Sequence, residues 1–285
     1  MLKESGQNNK LISLEEAAAL VQDGDILALG GNVLHRSPSA FVRELARQGK
    51  KKLEVVKTAG AYDIDLLAAA GCLRAVSAGF VGYENEFGLC PHYRKRVEQG
   101  LVEAKEHACY TVITSLRAAS YGVSFLPVNG LQGSDLPAQR GFRQVADPYT
   151  GETYVAIPKI EPDWAVIHVH EADKWGNSRI YGQKFEDVLM AKAAKRVIIT
   201  AEKIIGSHSF EQQPERTDIP GFLVHAVVHS PKGALPASCP GLYPYDKNEI
   251  ARFLQCREPR EIAEYVAASA KKDRGLKTAF GERRW

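Results

Sequence analysis

A chain of 285 residues that is 45% hydrophobic, 25% charged and 8% aromatic has a globular composition and can bury a substantial core, which excludes disorder, a coiled coil and a collagen-like fibre. Lysine and arginine number 37 and aspartate and glutamate 34, a formal net charge of +3, too balanced for the clustered basic excess of a nucleic-acid binder. No run reaches the roughly 18 apolar residues of a membrane span and MLKESGQNNK lacks a signal-peptide core, so a cytoplasmic protein with no nucleic-acid or membrane partner is expected.

Ser13 followed by Glu16 reads as a capping box, after which Leu14, Ala17, Ala18 and Val21 recur at helical spacing until Gly24. Residues 25–29 (DILAL) are a buried-strand candidate running into Gly30, Gly31 and Asn32. A second helix is expected with Ser37 as its cap and Pro38 in its first turn, burying Phe41, Val42 and Leu45. The alternation continues with strands at 53–57 and 74–80, helices at 64–70 and 92–99, and strands at 101–105 and 125–128 around a helix near 110–121. This rhythm predicts an α/β fold: an open, mostly parallel, doubly wound sheet with helices on both faces.

Residues 129–153, rich in Gly, Pro, Asp and Gln, interrupt it and are expected to form a long internal loop. Beyond them lie strands at 153–157, 164–169, 197–200 and 223–228, a helix at 184–195, an irregular polar stretch at 207–221, and closing helices at 247–255 and 259–272. Residues 1–272 are therefore expected to form a single domain, and 273–285 a basic, flexible tail.

Cys72, Cys90, Cys109, Cys239 and Cys256 are odd in number and never spaced C-x-x-C, so neither a disulfide framework nor a structural zinc site fits, and each is expected to be a small buried hydrophobe. His168 and His170 share one face of a strand, as metal ligands sometimes do, but no third ligand is evident; buried histidines hydrogen-bonded in the sheet, and no metal, are expected. Gly30, Gly31 and Asn32 admit two readings. Glycines after a buried strand let backbone amides approach an oxyanion or phosphate, or they simply make a tight turn; neither a Walker loop nor a dinucleotide fingerprint is present. Glu84, just past the end of a strand, is a candidate nucleophile or acid set against a solvated loop carboxylate. Gln132 and Ser134 are polar groups of the long loop where a substrate could be met, and Ala172-Asp173 with Gly176-Asn177 reads as a turn.

Several of these stretches resemble one family. Asp23-Gly24-Asp25 through Gly30-Gly31 to Pro38 resembles the α-subunit signature of the family I CoA-transferases, and FLPVNGLQGSDL, KFEDVLMAKAAK and DIPGFLVHAVVHSPKGALPASCPGLYPYD resemble the α-chains of the glutaconate type collinearly. Two features depart from the pattern: Asn32 stands where Phe is usual, and Ser37 stands where a glycine precedes the proline. The resemblance implies the CoA-transferase sheet, with its ribose-phosphate-isomerase-like topology, and a partner β-subunit in an α2β2 or larger assembly.

It also implies that coenzyme A is a substrate rather than a permanently bound cofactor, passing between an acyl-CoA and a carboxylic or dicarboxylic acid. The nucleophilic glutamate of such enzymes lies in a Ser-Glu-Asn-Gly motif of the β-subunit; this chain has no such motif, and Glu84-Asn85 resembles only its duplicated counterpart. The resemblance assigns the amides of Gly31 and Asn32 to an oxyanion and Arg36 to a second substrate carboxylate, so Gly31→Val is expected to stop turnover while sparing partner binding. Same-fold decarboxylases and ring-opening hydrolases are the alternative, and a non-catalytic CoA-ester or sugar-phosphate sensor is the second.

Overall fold

The computed structural model describes residues 9–274. Among them the strands are β1 (Ile26–Leu29), β2 (Leu53–Gly60), β3 (Leu73–Val81), β4 (Glu103–Glu106), β5 (Phe125–Val128), β6 (Arg143–Ala146), β7 (Thr153–Pro158), β8 (Trp164–Ala172), β9 (Ser178–Arg179), β10 (Val197–Ile204) and β11 (Ala226–His229). The main sheet runs β11-β10-β8-β1-β2-β3-β4, every pair parallel, with β9 added antiparallel at the end of β8. The chain enters at the centre, winds outwards through β2 to β4, and returns on the other side of β1 at β8. The boundary between β1 and β8 is thus the switch point outside whose carboxyl ends open α/β sheets bind ligands.

Period-two alternation puts a core on each face. Leu27 and Leu29 of β1 join Val55 and Val166 in one, while Ala28 joins Val56, Ala165 and Ile167 in the other. Helices Leu14–Leu20, Ser39–Arg47, Tyr62–Ala69, Lys247–Gln255 and Pro259–Ala268 cover the first, and Cys109–Ser120 and Asp187–Ala193 the second. The first helix opens on the expected capping box: the Glu16 amide donates to Ser13 Oγ at 3.1 Å and the Ser13 amide to Glu16 Oε2 at 2.8 Å, a cap worth about 1 kcal/mol.

Several elements depart from expectation. Ser37 does not cap the second helix; Pro38 occupies that position and Ser37 Oγ donates instead to the buried Asp63 carboxylate, 3.0 Å away. The helix expected at 184–195 is confined to Asp187–Ala193, since Phe185 holds a φ of 47° that no α-helix tolerates. Residues 129–153 are not one long loop. They contain the helix Leu136–Arg140, ended by Gly141 at φ 63°, and β6, which with β5 and β7 forms a separate antiparallel sheet over Val128, Leu131, Val155 and Ile157. The four-residue β6 is largely exposed, so no apolar period marks it.

Cys109, the first residue of its helix, is exposed rather than buried, and Cys256 is half-buried; Cys72, Cys90 and Cys239 are buried as expected. The start of the expected tail is ordered. Asp273 and Arg274 lie in the helix Ala270–Arg274, paired with Arg43 at 2.6 Å and Glu44 at 2.6 Å, while the remainder, 275–285, lies outside the described residues.

Asp65 is fully buried on the helix Tyr62–Ala69, accepting from the Tyr93 amide at 2.8 Å and the Tyr83 hydroxyl at 3.2 Å. Burial outweighs these bonds and pushes its carboxyl up to about 7. A carboxyl whose native pKa is raised binds its proton more tightly folded than unfolded. Stability is therefore expected to fall as pH rises from about 4 to about 7, by up to about 1.4 kcal/mol per pH unit, and to level off above. Urea titrations of Asp65→Asn should show this slope flattened and the variant more stable than the parent at pH 8; an unchanged slope would place the dependence elsewhere.

Candidate functional site

At the carboxyl end of β1 the chain turns through Gly30, Gly31 and Asn32, and every one of these amides is used inside the chain. Gly30 donates to Val166 O at 2.9 Å, Gly31 to Asp187 Oδ1 at 2.7 Å, and Asn32 to His35 O at 2.9 Å. Gly31 sits at φ 72°, and a Cβ there would lie 2.2 Å from His35 O. The oxyanion role expected of Gly31 and Asn32 is thereby corrected: the buried Asp187 carboxylate already occupies the position an oxyanion would take, and the pair makes the tight turn. Gly31→Val would break this turn rather than screen an open amide.

Two buried ion pairs clamp it. Arg36 Nη1 lies 2.6 Å from Asp187 Oδ2, both side chains essentially inaccessible, and the guanidinium also donates to His168 O at 3.2 Å and Gln183 O at 2.6 Å. Arg36 is therefore not available to a substrate carboxylate; its charge is neutralised by Asp187. Lys57 Nζ lies 2.6 Å from Asp63 Oδ2 and donates to Gly30 O at 2.9 Å. Burial alone would raise the Asp63 pKa, but the Lys57 ammonium and the amides of Ala61 and Ile64 outweigh it and hold it below the usual carboxylate range.

Val33, Arg36, Phe185 and Lys232, four of the six non-glycine residues with positive φ among the described residues, fall in the segments that build this corner. Left-handed backbone at a β-branched residue such as Val33 costs free energy and clusters at functional sites.

Alongside runs a chain of buried hydrogen bonds. His168 and His170 do share a face of β8, and Glu202 of β10 and Cys239 join His168, their donor atoms within 4.8 Å of one another. Both His168 nitrogens are engaged, Nδ1 with Thr200 Oγ1 at 2.9 Å and Nε2 with Glu202 Oε1 at 2.8 Å, while Glu202 also accepts from the Lys232 amide at 2.7 Å and from the Tyr243 hydroxyl. Burial raises the Glu202 pKa, yet His168, Tyr243 and the Lys232 amide together lower it below its ordinary value. His168, Glu202 and Cys239 thus carry the donor types of a transition-metal site, in an arrangement held together by its own hydrogen bonds.

Tyr243 connects this chain to a groove of about 510 Å³ lined by His35, Ser238, Pro240 and residues 241–245. The groove lies directly against the glycine turn, since Ser238 is stitched to it: the Arg36 amide donates to Ser238 O at 2.7 Å and the Ser238 amide to Leu34 O at 2.8 Å. Glu84 is not among its lining residues. It is exposed, at φ 54° on the four-residue helix Glu84–Phe87, and it is Glu86 that meets the groove wall, accepting from the Tyr245 hydroxyl at 3.0 Å. Gln132 and Ser134 line a different cavity, of about 880 Å³, within the three-stranded sheet, so the structure does not bring them to the glycine turn.

Sequence reasoning missed Asp187, Glu202, His35 and Tyr243. Asp187 sat inside KFEDVLM, and Ser238 and Tyr243 inside the long match from Asp218, where the signal was collinearity rather than spacing. Glu202 gave no signal, being one of three polar residues, with Thr200 and Lys203, past the apolar opening of a strand.

Residues 11–230 match the family model described as Coenzyme A transferase. The A-type chain of glutaconate CoA-transferase from Acidaminococcus fermentans is 35% identical over 84% of this chain and 80% of its own. A crystal structure of glutaconate CoA-transferase from the same organism superposes with a TM-score of 0.85 at 32% identity, covering 94% of this chain and 90% of that one. An uncharacterized protein of Archaeoglobus fulgidus is 37% identical over 90% of this chain, which spans 58% of that protein's length. A crystal structure of a variant of the decarboxylase AibA/AibB superposes with a TM-score of 0.83 at 36% identity, covering 90% of this chain and 97% of that one.

Proposed function

The chain belongs to the Coenzyme A transferase family, and from that premise we propose that it is the A-type chain of a heteromeric CoA-transferase whose reactive glutamate is carried by a B-type partner, the two assembling as α2β2 or a higher multiple. The observation that carries this reading is the 35% identity to the A-type chain of a glutaconate CoA-transferase over 84% of the sequence. The site agrees with it: the glycine turn spends its amides internally, and what this chain offers a substrate is the wall of a groove at the switch point.

In the proposed reaction the partner's glutamate attacks the thioester carbonyl of an acyl-CoA, CoA thiolate leaves, and an acyl-glutamyl anhydride forms. The thiolate then attacks the glutamyl carbonyl, releasing the first carboxylate and leaving a glutamyl-CoA thioester. An acceptor carboxylate attacks that thioester, and CoA thiolate, expelled again, takes the new acyl group from the resulting anhydride. Covalent relay conserves the thioester's free energy. This chain's part is to hold the acyl group in register with the partner's carboxylate, positioning of the kind that lowers barriers by pre-paid entropy.

The purified chain is expected to show no transfer alone and robust transfer when co-purified with its partner, across a panel of acyl-CoA donors and carboxylate acceptors. Activity from this chain by itself would overturn the proposal. The second reading, one half of a decarboxylase, is favoured by the match to AibA/AibB. A cysteine or uncharged residue in place of the partner's glutamate, with carbon dioxide released from a carboxylated acyl-CoA, would establish it instead.

A further inference from the structure

Behind the groove wall, His168 of β8, Glu202 of β10 and Cys239 of the segment after β11 each turn one ligand atom to within 4.8 Å of the other two, all three side chains being buried. The third ligand that the sequence does not reveal is thus supplied by the fold. His170 is not part of the group, because the backbone claims both its nitrogens: Nδ1 accepts from the Tyr181 amide at 3.1 Å and Nε2 donates to Pro240 O at 2.8 Å. An amide can only donate and a carbonyl only accept, so this tautomer is fixed. Cys239 Sγ lies 3.5 Å from that same Nε2, a donor, and the proton of this fully buried thiol has no acceptor among the described residues.

We infer that His168 Nε2, Glu202 Oε1 and Cys239 Sγ form a site for a divalent transition ion of the zinc class, with the fourth position left to water. Thiolate and imidazole select such an ion over magnesium or calcium, which take oxygen ligands. Charge supports the same choice, since one thiolate and one carboxylate neutralise a dication and the buried unit carries no net charge. The ion displaces the thiol proton, the one that lacks an acceptor, and the imidazole binds neutral.

The outer partners of a metal site are in place. His168 Nδ1 lies 2.9 Å from Thr200 Oγ1, a hydroxyl that donates or accepts and so serves the ring when Nε2 turns to a metal. Glu202 Oε2 accepts from the Lys232 amide at 2.7 Å, which leaves Oε1 to face His168 at 2.8 Å. Tetrahedral bonds of about 2.0–2.3 Å put ligand atoms about 3.3–3.6 Å apart, so the histidine and glutamate separate slightly while Cys239 closes by roughly 1 Å at most. Ser238 and Pro240, on either side of Cys239, line the groove with Tyr243, which gives the ion and its water a way in. Once bound, the ion ties β8 and β10 to the segment that forms the groove wall.

The test is titration of the chelator-stripped full chain with Co2+, whose thiolate complexes absorb in the near ultraviolet and whose tetrahedral complexes are strongly coloured. Equimolar binding with both signatures, displaced by Zn2+, is expected. Cys239→Ser should abolish the thiolate band, whereas Cys109→Ser, which removes the exposed thiol, should leave it intact. Thr200→Val should keep the band but weaken binding about tenfold or more, as loss of an outer partner does. Should Cys239→Ser fail to fold, X-ray absorption of zinc-loaded Cys109→Ser decides without it, with one sulfur at about 2.3 Å among nitrogen and oxygen at about 2.0 Å expected. No equimolar binding, binding without a thiolate band, a zinc shell with no sulfur or several, or an unchanged band in Cys239→Ser would each overturn the inference. Neither outcome depends on whether the chain takes part in CoA transfer.

Discussion

Replacing Asp187 with alanine is expected to lower the unfolding free energy by about 3–5 kcal/mol, because it leaves the fully buried Arg36 guanidinium without its counter-ion. The carboxylate does two jobs. It neutralises Arg36 at 2.6 Å and accepts from the Gly31 amide at 2.7 Å. Asp187→Asn keeps an acceptor for Gly31 and loses the charge, so it should be destabilised as well but retain the turn. Denaturant titration of the two variants separates these contributions. A loss below about 1 kcal/mol for the alanine variant would mean that the pair is solvated in solution, where exposed ion pairs contribute that little.

The second large effect falls on Gly31. A methyl group there would sit 2.2 Å from His35 O and 2.6 Å from the Arg36 carbonyl carbon, backbone atoms that cannot rotate away, at a φ of 72° that L-residues avoid. Gly31→Ala is expected to cost roughly 3 kcal/mol or more, as clash adds to strain. Gly24 supplies the control: its φ is 90° but nothing lies within 4 Å of the place a Cβ would take, so Gly24→Ala should show only the left-handed penalty of about 1–2 kcal/mol. Equal losses at the two positions would remove the close approach of the turn to His35 from the account.

The centre of the sheet was legible because strands such as β1, β2, β8 and β10 are largely buried and read as apolar runs between helical patterns. The capping box at Ser13 and the run at 25–29 behave as their residues dictate. Residues 129–153 were not legible, since a four-residue exposed strand and a five-residue helix carry no period long enough to see. At the site, the glycine turn could be located, but the destination of its amides depends on Asp187, 156 residues away. The resemblance carried the oxyanion reading to Gly31 and Asn32, and only the tertiary fold shows that a carboxylate of the same chain takes the place. Arg36 illustrates the same point, since its burial comes from β8 and the segment before Asp187, both remote in sequence. His35 carries no spacing signal, because its partner in the fold, Ser238, lies more than 200 positions on.

The claim at the centre of this account is that the covalent step occurs on the partner and not on this chain. Borohydride reduction of the complex after incubation with an acyl-CoA, followed by peptide mass spectrometry, tests it directly. A reduced glutamate in the partner, with no modification of Glu84 or any other carboxylate here, is the predicted result; reduction of Glu84 would contradict it.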